Sequence, residues 1–265
     1  MRKILLVSGC SMTDKNFVSF INPEIDTSYS KWPELIAKKL DMDCINLGLS
    51  GAGNEYIYSS LLEKIIEKKD QIGLVIPAWS QCQREDYQEW NTNLVKRVAT
   101  NGDVFGWLKK SLRYFISLQL ICERYNIPYK QLQMIPLYTS WIAGLGKSDM
   151  EIFRNKDNPN YNWKYTYPGD RVKDEKKLEE ILFKFEPYIN VKDFIGWPTV
   201  KKWGGYNIEE KVIKIKNHFS RGGNLISSVK NIKEEFIKDY ILSEWDHHPN
   251  AKGHEQIAEF IYERL

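Results

Sequence analysis

The sequence predicts an α/β protein in which helices cover both faces of a parallel β-sheet. Short apolar runs alternate with amphipathic helical segments along its first half, an order typical of parallel strands joined by helical crossovers. The 265 residues show no linker-like stretch and no repeat of fixed period, which fits one domain with a sizeable core. We expect a single domain over residues 1–265.

The strands are predicted where apolar runs end in glycine or turn residues. The first run, residues 3–8, ends at Gly9, a pattern typical of a buried parallel strand. Similar runs predict further strands at residues 43–46, at 72–76, within 128–137 and near 188–195.

Helices are predicted where apolar residues recur at helical spacing. Pro33 suits the first turn of the first helix, and Asn54 and Asp103 are expected to cap later ones. The predicted ranges are residues 32–40, 56–68, about 103–125, 208–219, 229–242 and 251–265. Residues 138–206 are rich in aromatic and charged side chains with little periodicity, and we interpret them as an insertion or lid over the sheet.

Composition excludes several partner classes. The net charge is only +3, and Lys is interspersed with Asp and Glu, so we expect no nucleic-acid partner. No apolar run reaches the roughly 18–20 residues of a membrane span. Only four apolar residues follow Arg2 and Lys3, fewer than the roughly 7–15 of a signal peptide. We therefore expect a soluble, cytoplasmic protein whose four cysteines are reduced.

Ser11 is the first candidate for chemistry. It follows the first predicted strand directly, and ligands of such sheets bind beyond the carboxyl ends of the strands. A serine hydroxyl there is a candidate nucleophile if a base can reach it. The alternative is that Ser11 only caps a helix.

The second candidate lies near the other end of the chain. Asp246 stands two residues before His248, just ahead of the last predicted helix, and such a pair can supply a base with its orienting carboxylate. Two alternatives remain: a turn in which Asp246 and Asn250 bond to the backbone, and a metal site formed by His247, His248 and His254.

Three segments together resemble the motifs of the SGNH, or GDSL-type, hydrolase family. Residues 9–11, Gly-Cys-Ser, resemble the Gly-Asp-Ser block that opens the family. Residues 46–51, Asn-Leu-Gly-Leu-Ser-Gly, resemble its second block, and residues 246–249, Asp-His-His-Pro, resemble its last block, Asp-x-x-His-Pro. The three occur in the family's order, although the match covers only about 25 residues in sequence.

The resemblance implies a flavodoxin-like sheet of about five parallel strands in a three-layer α/β/α arrangement. It also implies a serine hydrolase with Ser11 as nucleophile, His248 as base and Asp246 as its partner. The amides of Ser11 and Gly51 would form the oxyanion hole. No metal or organic cofactor is expected.

The chain departs from the family pattern in two blocks that bear on activity. The last block is one residue shorter, so Glu244 with His247 is a competing acid–base pair. Ser80 stands after the third strand where the family has an oxyanion-binding Asn, and a hydroxyl can also donate one hydrogen bond there.

Three further residues are candidate substrate contacts: Trp79, Arg84 and Trp245. Tryptophan faces on loops often stack on sugar rings or line acyl pockets, and arginine can grip an anionic substrate. The alternatives are that the tryptophans attach the insertion to the sheet and that Arg84 pairs with a neighbouring acidic residue such as Glu85.

These features predict a serine esterase that acts on a small-molecule or carbohydrate ester, with an O-acetyl or short acyl ester as the expected substrate. An acyltransferase and an inactive binding or structural protein of the same fold are the alternatives, since fold alone does not establish function.

Overall fold

A computed structural model describes residues 2–88, 94–98, 103–138, 152–153, 162–163, 171–213, 239–243 and 246–265. In chain order its strands and helices are β1 (Ile4–Gly9), α1 (Trp32–Lys39), β2 (Asp43–Asn46), α2 (Asn54–Lys68), β3 (Ile72–Trp79), β4 (Arg84–Gln88), β5 (Leu94–Val98), α3 (Val104–Arg124), β6 (Gln131–Gln133), β7 (Ile152–Phe153), β8 (Asn162–Trp163), α4 (Arg171–Phe185), β9 (Phe194–Ile195) and α5 (Ala251–Tyr262). Short 3-10 turns follow α4, and a π-helical turn spans Glu209–Ile213.

The central sheet has five parallel strands in the order β2-β1-β3-β6-β9. Counted along the chain, this is the 2-1-3-4-5 order of flavodoxin-like folds. The parallel α/β sheet of about five strands expected from the sequence is therefore confirmed. The two remaining strand pairs, β4–β5 and β7–β8, form separate antiparallel hairpins.

Two hydrophobic layers, one on each face of the sheet, hold the helices in place. Along β1, Ile4 and Leu6 pack into one layer and Leu5 and Val7 into the other, as the alternation of side chains in a strand requires. Helices α2, α3 and α4 cover the first layer, and α1 and α5 cover the second. The result is the predicted three-layer α/β/α arrangement.

The sheet register places the ends of the first three strands side by side. Val7 of β1 pairs with Asn46 of β2, and Gly9 pairs with Ala78 of β3. The loops that begin at Cys10, Leu47 and Ser80 therefore leave the same edge of the sheet, where α/β proteins of this topology bind ligands.

The third strand is longer than predicted. The sequence predicted a strand over residues 72–76, which Pro77 follows. The structure continues β3 to Trp79, with Pro77 paired opposite Ser8 of β1. A proline forfeits its donor but keeps its carbonyl acceptor, so the strand tolerates it.

Helix α4 and the β4–β5 hairpin were not predicted. Helix α4 lies inside the region interpreted as an insertion, and its Leu178, Ile181 and Leu182 belong to the core. This part of the region thus packs onto the core beside the sheet. Most of residues 139–170, and the predicted helical residues 214–219 and 229–238, lie outside the described residues. None of the helices in the described ranges has the length and apolar character that a membrane crossing requires.

Candidate active site

Ser11 lies in a tight turn directly after β1. The carbonyl of Cys10 accepts hydrogen bonds from the amides of Thr13 and Asp14, at 2.8 and 3.0 Å. Thr13 folds back so closely that a Cβ on Gly9 would lie 2.3 Å from its Oγ1, so only glycine fits at position 9. The turn leaves the half-buried Ser11 at the carboxyl edge of the sheet.

A clamped segment before α5 presents His248. The carbonyl of His248 accepts a hydrogen bond from the amide of Leu242 at 2.9 Å, and Ile241 forms an antiparallel β-bridge with Pro249. Asn250 caps α5 by accepting the amide of Gly253, while its side-chain NH₂ donates to the carbonyls of Asp239 and Ile241. A single asparagine thus fixes both the helix start and the loop that carries the histidine.

The structure brings Ser11, His248 and Asp246 into one hydrogen-bonded line. Oγ of Ser11 lies 2.8 Å from Nε2 of His248, and Nδ1 of His248 lies 2.5 Å from Oδ1 of Asp246. With Nδ1 protonated and donating to the carboxylate, Nε2 is an acceptor for the serine hydroxyl. This is the order of contacts that a nucleophile, a base and an orienting acid need.

The carboxylate of Asp246 is buried, but protein donors form hydrogen bonds with both of its oxygens. It accepts hydrogen bonds from the ring and the amide of His248 and from the hydroxyl of Ser19. Burial alone would raise its pKa, but the hydrogen bonds and the charge interaction with His248 outweigh burial and lower the pKa to about 2. Asp246 is therefore ionised at neutral pH.

Phe17 holds the imidazole of His248 from the side. The two ring centroids lie 4.2 Å apart at 32°, and Phe17 is itself buried. The side chain of His248 keeps 29 % exposure, so the base is fixed in orientation but still reachable.

The loops after β1 and β2 are tied together by two side chains. Asp14 accepts the amide and hydroxyl of Ser50 at 2.8 and 2.6 Å. Asn46 donates to the carbonyl of Thr13 at 2.8 Å and accepts the amide of Gly48 at 2.9 Å. The two loops therefore behave as one unit around Ser11.

Gly51 occupies a conformation that suits an anion-binding amide. Its φ is +80°, in the left-handed region that favours glycine. The amides on either side are used, since Ser50 donates to Asp14 and Ala52 donates to Leu49. Within the described part of the chain, the amides of Gly51 and Ser11 have no acceptor.

Ser80 has a rigid backbone and a free hydroxyl. Asn54 accepts its amide at 2.7 Å and donates to its carbonyl at 3.1 Å, and Gln133 also donates to that carbonyl. Oγ of Ser80 is buried and has no hydrogen-bond partner. A buried hydroxyl that forms no hydrogen bond is uncommon in a folded protein.

The proposed substrate contact at Trp79 is corrected by the structure. Because β3 extends to residue 79, Trp79 lies in the sheet rather than in a loop, and its side chain is fully buried. Its Nε1 donates to Gln131 at 2.9 Å, and its ring packs 4.6 Å from that of Phe115. Trp79 is a core residue.

Arg84 lies beside the loop that follows β2. Its guanidinium donates to the carbonyl of Ala52 at 3.1 Å. Asp86, two residues later, is buried and accepts the amides of Gly53 and Tyr56 at the start of α2. Burial raises the pKa of Asp86, and these amides and Arg84 oppose the rise.

Two further tryptophans pack against the core. Trp197 and Trp203 are half-buried and pack against the hydrophobic layer of α2, α3 and α4. Trp245, the second tryptophan predicted to contact substrate, and Glu244, the competing acid, lie outside the described residues.

His254 has a structural role, unlike His248. It is buried in α5, and its Nδ1 accepts the amide of Trp32 at 3.3 Å. Its pKa is lowered to about 3, mainly by burial and also by charge interactions with Lys31 and His248. Among the described residues, no group of three His, Cys, Asp or Glu side chains is arranged to hold a metal ion.

Three residues around the site were not singled out from the sequence: Asp14, Phe17 and Ser19. Asp14 follows Ser11 closely, so its position was a signal that could have been used. Ser19 is 227 residues from Asp246, and no local spacing connects the two.

Comparison with known proteins gives matches only among solved structures. No protein-family model and no curated protein matches the chain. A protein described as lipolytic, of the G-D-S-L family, from Desulfitobacterium hafniense is 13 % identical, with 99 % of both chains covered and a TM-score of 0.47. An acetylxylan esterase from Geobacillus stearothermophilus is 12 % identical, with 99 % of this chain and 93 % of that chain covered and a TM-score of 0.45. A psychrotrophic esterase from Pseudoalteromonas is 10 % identical, with 99 % and 96 % covered and a TM-score of 0.43.

Proposed function

We propose that this protein is a serine esterase that cleaves acyl esters through a covalent intermediate on Ser11. The observation that carries the proposal is the line of contacts from Ser11 to His248 and from His248 to Asp246, at 2.8 and 2.5 Å. A serine hydroxyl is a weak nucleophile until a base within hydrogen-bond reach removes its proton.

In the proposed reaction, Oγ of Ser11 attacks the acyl carbon while its proton passes to Nε2 of His248. The tetrahedral intermediate collapses, and the alcohol leaves with the proton from the imidazolium. Water then attacks the acyl-enzyme, giving its proton to His248, and the carboxylic acid is released from Ser11 as the proton returns to Oγ. Asp246 stays ionised throughout and stabilises the imidazolium.

The oxyanion of both intermediates would be held by the amides of Ser11 and Gly51 and by the hydroxyl of Ser80. The acceptor-free amides and the unpartnered Oγ support this assignment. Donors that are already fixed in place stabilise developing charge without reorganisation. The clamp of Asn54 on Ser80 and the bonds of Asp14 to Ser50 provide that fixation.

The finer proposal is an O-acetyl or short acyl ester on a carbohydrate, with Arg84 and Trp245 as substrate contacts. The resemblance of the three sequence motifs to a family that includes carbohydrate deacetylases supports the substrate class. The position of Arg84 beside the loop of Gly51 supports a contact with an acidic substituent. The proposed chemistry requires no cofactor.

A fluorophosphonate probe and a series of aryl esters test the proposal together. We expect the probe to label the wild-type protein at Ser11, as located by peptide mass spectrometry, and acetyl esters to be cleaved faster than longer ones. Ser11→Ala should abolish both signals, whereas Ser30→Ala, at an exposed serine, should abolish neither.

Other outcomes decide between the alternatives. Folded wild-type protein that neither reacts with the probe nor cleaves any ester would contradict the proposal and favour a binding role. Labelling at Ser11 combined with acyl transfer to added sugar in preference to water would favour an acyltransferase.

A further inference from the structure

We infer that Ser19 is a positioning residue that holds Asp246 in the orientation His248 needs, an inference that rests on the proposed function. Ser19 lies in the loop after β1, and its side chain is 1 % exposed. Its hydroxyl donates to Oδ2 of Asp246, the oxygen that His248 does not use.

The direction of this hydrogen bond is fixed by a second contact. The amide of Asn22 donates to Oγ of Ser19 at 2.7 Å. A serine hydroxyl has one proton, and an ionised carboxylate can only accept. The proton of Ser19 therefore points at Asp246 while a lone pair receives the amide of Asn22.

A closed circuit of hydrogen bonds joins the early loop to the late one. Oγ of Ser243 donates to Oδ1 of Asn22 at 2.7 Å, and the same Oγ accepts the amide of Asp246 at 3.0 Å. Together with the two bonds of Ser19, these contacts link residues 19–22 to residues 243–246. Each member fixes the next, so the geometry of the acid depends on the early loop.

The circuit leaves the carboxylate of Asp246 little freedom to rotate. Oδ1 receives the ring and amide N–H of His248, and Oδ2 receives Ser19. Among the described residues, Ser19 is the one hydrogen-bond donor to Oδ2. Without it the carboxylate can turn, which lengthens its bond to Nδ1 of His248 and misaligns Nε2 from Ser11.

Ser19→Ala, compared with Ser19→Thr and with the exposed-loop control Ser30→Ala, tests this role. For Ser19→Ala we expect kcat for an acetyl ester to fall about tenfold, a typical effect of losing one hydrogen bond to a charged group, with KM changed less than twofold. The acidic limb of the pH profile of kcat/KM should move, because the carboxylate of Asp246 then lacks the hydrogen bond from Ser19 that disperses part of its negative charge. Ser19→Thr keeps the hydroxyl and should recover most of kcat, and Ser30→Ala should match wild type.

A folded Ser19→Ala protein with wild-type kcat and an unchanged pH profile would overturn the inference. If Ser19→Ala does not fold, Ser19→Cys takes its place, since a thiol of similar shape is a weaker donor. An unaltered kcat and pH profile in that variant would equally overturn it.

A second readout does not depend on esterase activity. The Nδ1 proton of His248, shared with Asp246 at 2.5 Å, should give a far-downfield proton NMR signal that disappears in His248→Asn. We expect Ser19→Ala to shift or broaden this signal and Ser30→Ala to leave it in place. An unshifted signal in Ser19→Ala contradicts the inference. If the signal shifts in Ser19→Ala as expected but the wild-type protein has no esterase activity, only the proposed function is contradicted.

Discussion

The carboxylate of Asp14 accepts both the amide and the hydroxyl of Ser50, at 2.8 and 2.6 Å. This contact joins the turn that carries Ser11 to the loop that carries Gly51. Asp14 also accepts the amide of Asn16 at 2.9 Å. One buried side chain thereby sets the distance between the proposed nucleophile and the proposed oxyanion amide.

We therefore expect Asp14→Ala to lower kcat/KM for ester hydrolysis by about tenfold or more, because a misplaced oxyanion donor loses much of its effect. Steady-state kinetics with an acetyl ester measures this loss, and circular dichroism checks the fold. The matched control is Asp26→Ala, an exposed acidic residue of the following loop, which should behave as wild type. If folded Asp14→Ala keeps wild-type kcat/KM, the contact of Asp14 with Ser50 is not needed to place the oxyanion donor.

Ser80→Ala tests the side-chain part of the oxyanion hole. Removing one oxyanion donor typically lowers turnover roughly a hundredfold or more, and we expect a loss of that order without unfolding. The hydroxyl has no partner to lose, so the thermal midpoint should change little. Ser80→Asn, which places an amide there, should retain more turnover than Ser80→Ala.

Kinetics and thermal melts of both variants decide the role of this hydroxyl. Suppose that Ser80→Ala keeps wild-type turnover while Ser11→Ala is inactive. The hole would then consist of backbone amides alone, and Ser80 would leave the proposed site.

Stability should decline as the pH falls, in two stages. The pKa of His254 is about 3 in the folded protein and about 6.5 in an unfolded chain, so the unfolded state binds more protons between these values. The folded state therefore loses stability as the pH falls below about 6.5. The pKa of Asp246 is about 2, below its usual 3.8, so its contribution is lost later, as the pH falls from 3.8 toward 2.

Urea unfolding at a series of pH values measures this dependence. His254→Gln keeps an acceptor for the amide of Trp32 but does not titrate, so its free energy of unfolding should fall less steeply between pH 6.5 and 4. Equal slopes for wild type and His254→Gln would contradict the assignment.

The sequence predicted the sheet because its strands coincide with apolar runs that stand out from their surroundings. Residues 3–8 and 43–46 are examples, and Asp103 was expected to cap a helix and does so by accepting the amide of Gly106. Asn54 was also expected to cap, but it lies inside α2 and clamps Ser80 instead. An asparagine signals a helix start without fixing which residue takes the cap.

Other elements could not be predicted because tertiary contacts create them. Helix α4 is mostly charged, and its few buried side chains matter only once α3 covers them. A fifth strand was expected near residues 188–195, but β9 has only two residues, because its pairing with β6 is limited to Phe194 and Ile195. Trp79 was placed on a loop because the predicted strand ended at Ile76, although the sheet continues through Pro77 to Trp79. Contacts such as Ser19 with Asp246 join distant segments and leave no local pattern.

Substitution at the acid decides between the two carboxylates that the shortened last block left open. Asp246 contacts Nδ1 of His248 directly, so Asp246→Asn should keep the geometry but favour the wrong histidine tautomer. Such a change costs on the order of 10⁴-fold in turnover in a serine triad. Because Asp246 already occupies the place of the orienting acid, Glu244→Gln should retain turnover within about twofold of wild type.

The two variants are to be compared over a range of pH with the same acetyl ester, together with probe labelling of Ser11. Loss of labelling and turnover in Asp246→Asn, with both kept in Glu244→Gln, supports Asp246 as the partner of His248. The reverse pattern would move the acid to Glu244. Full activity in both single variants, with the fold intact, would mean that Ser11 and His248 act as a dyad, because then neither carboxylate is needed to fix the tautomer of the base.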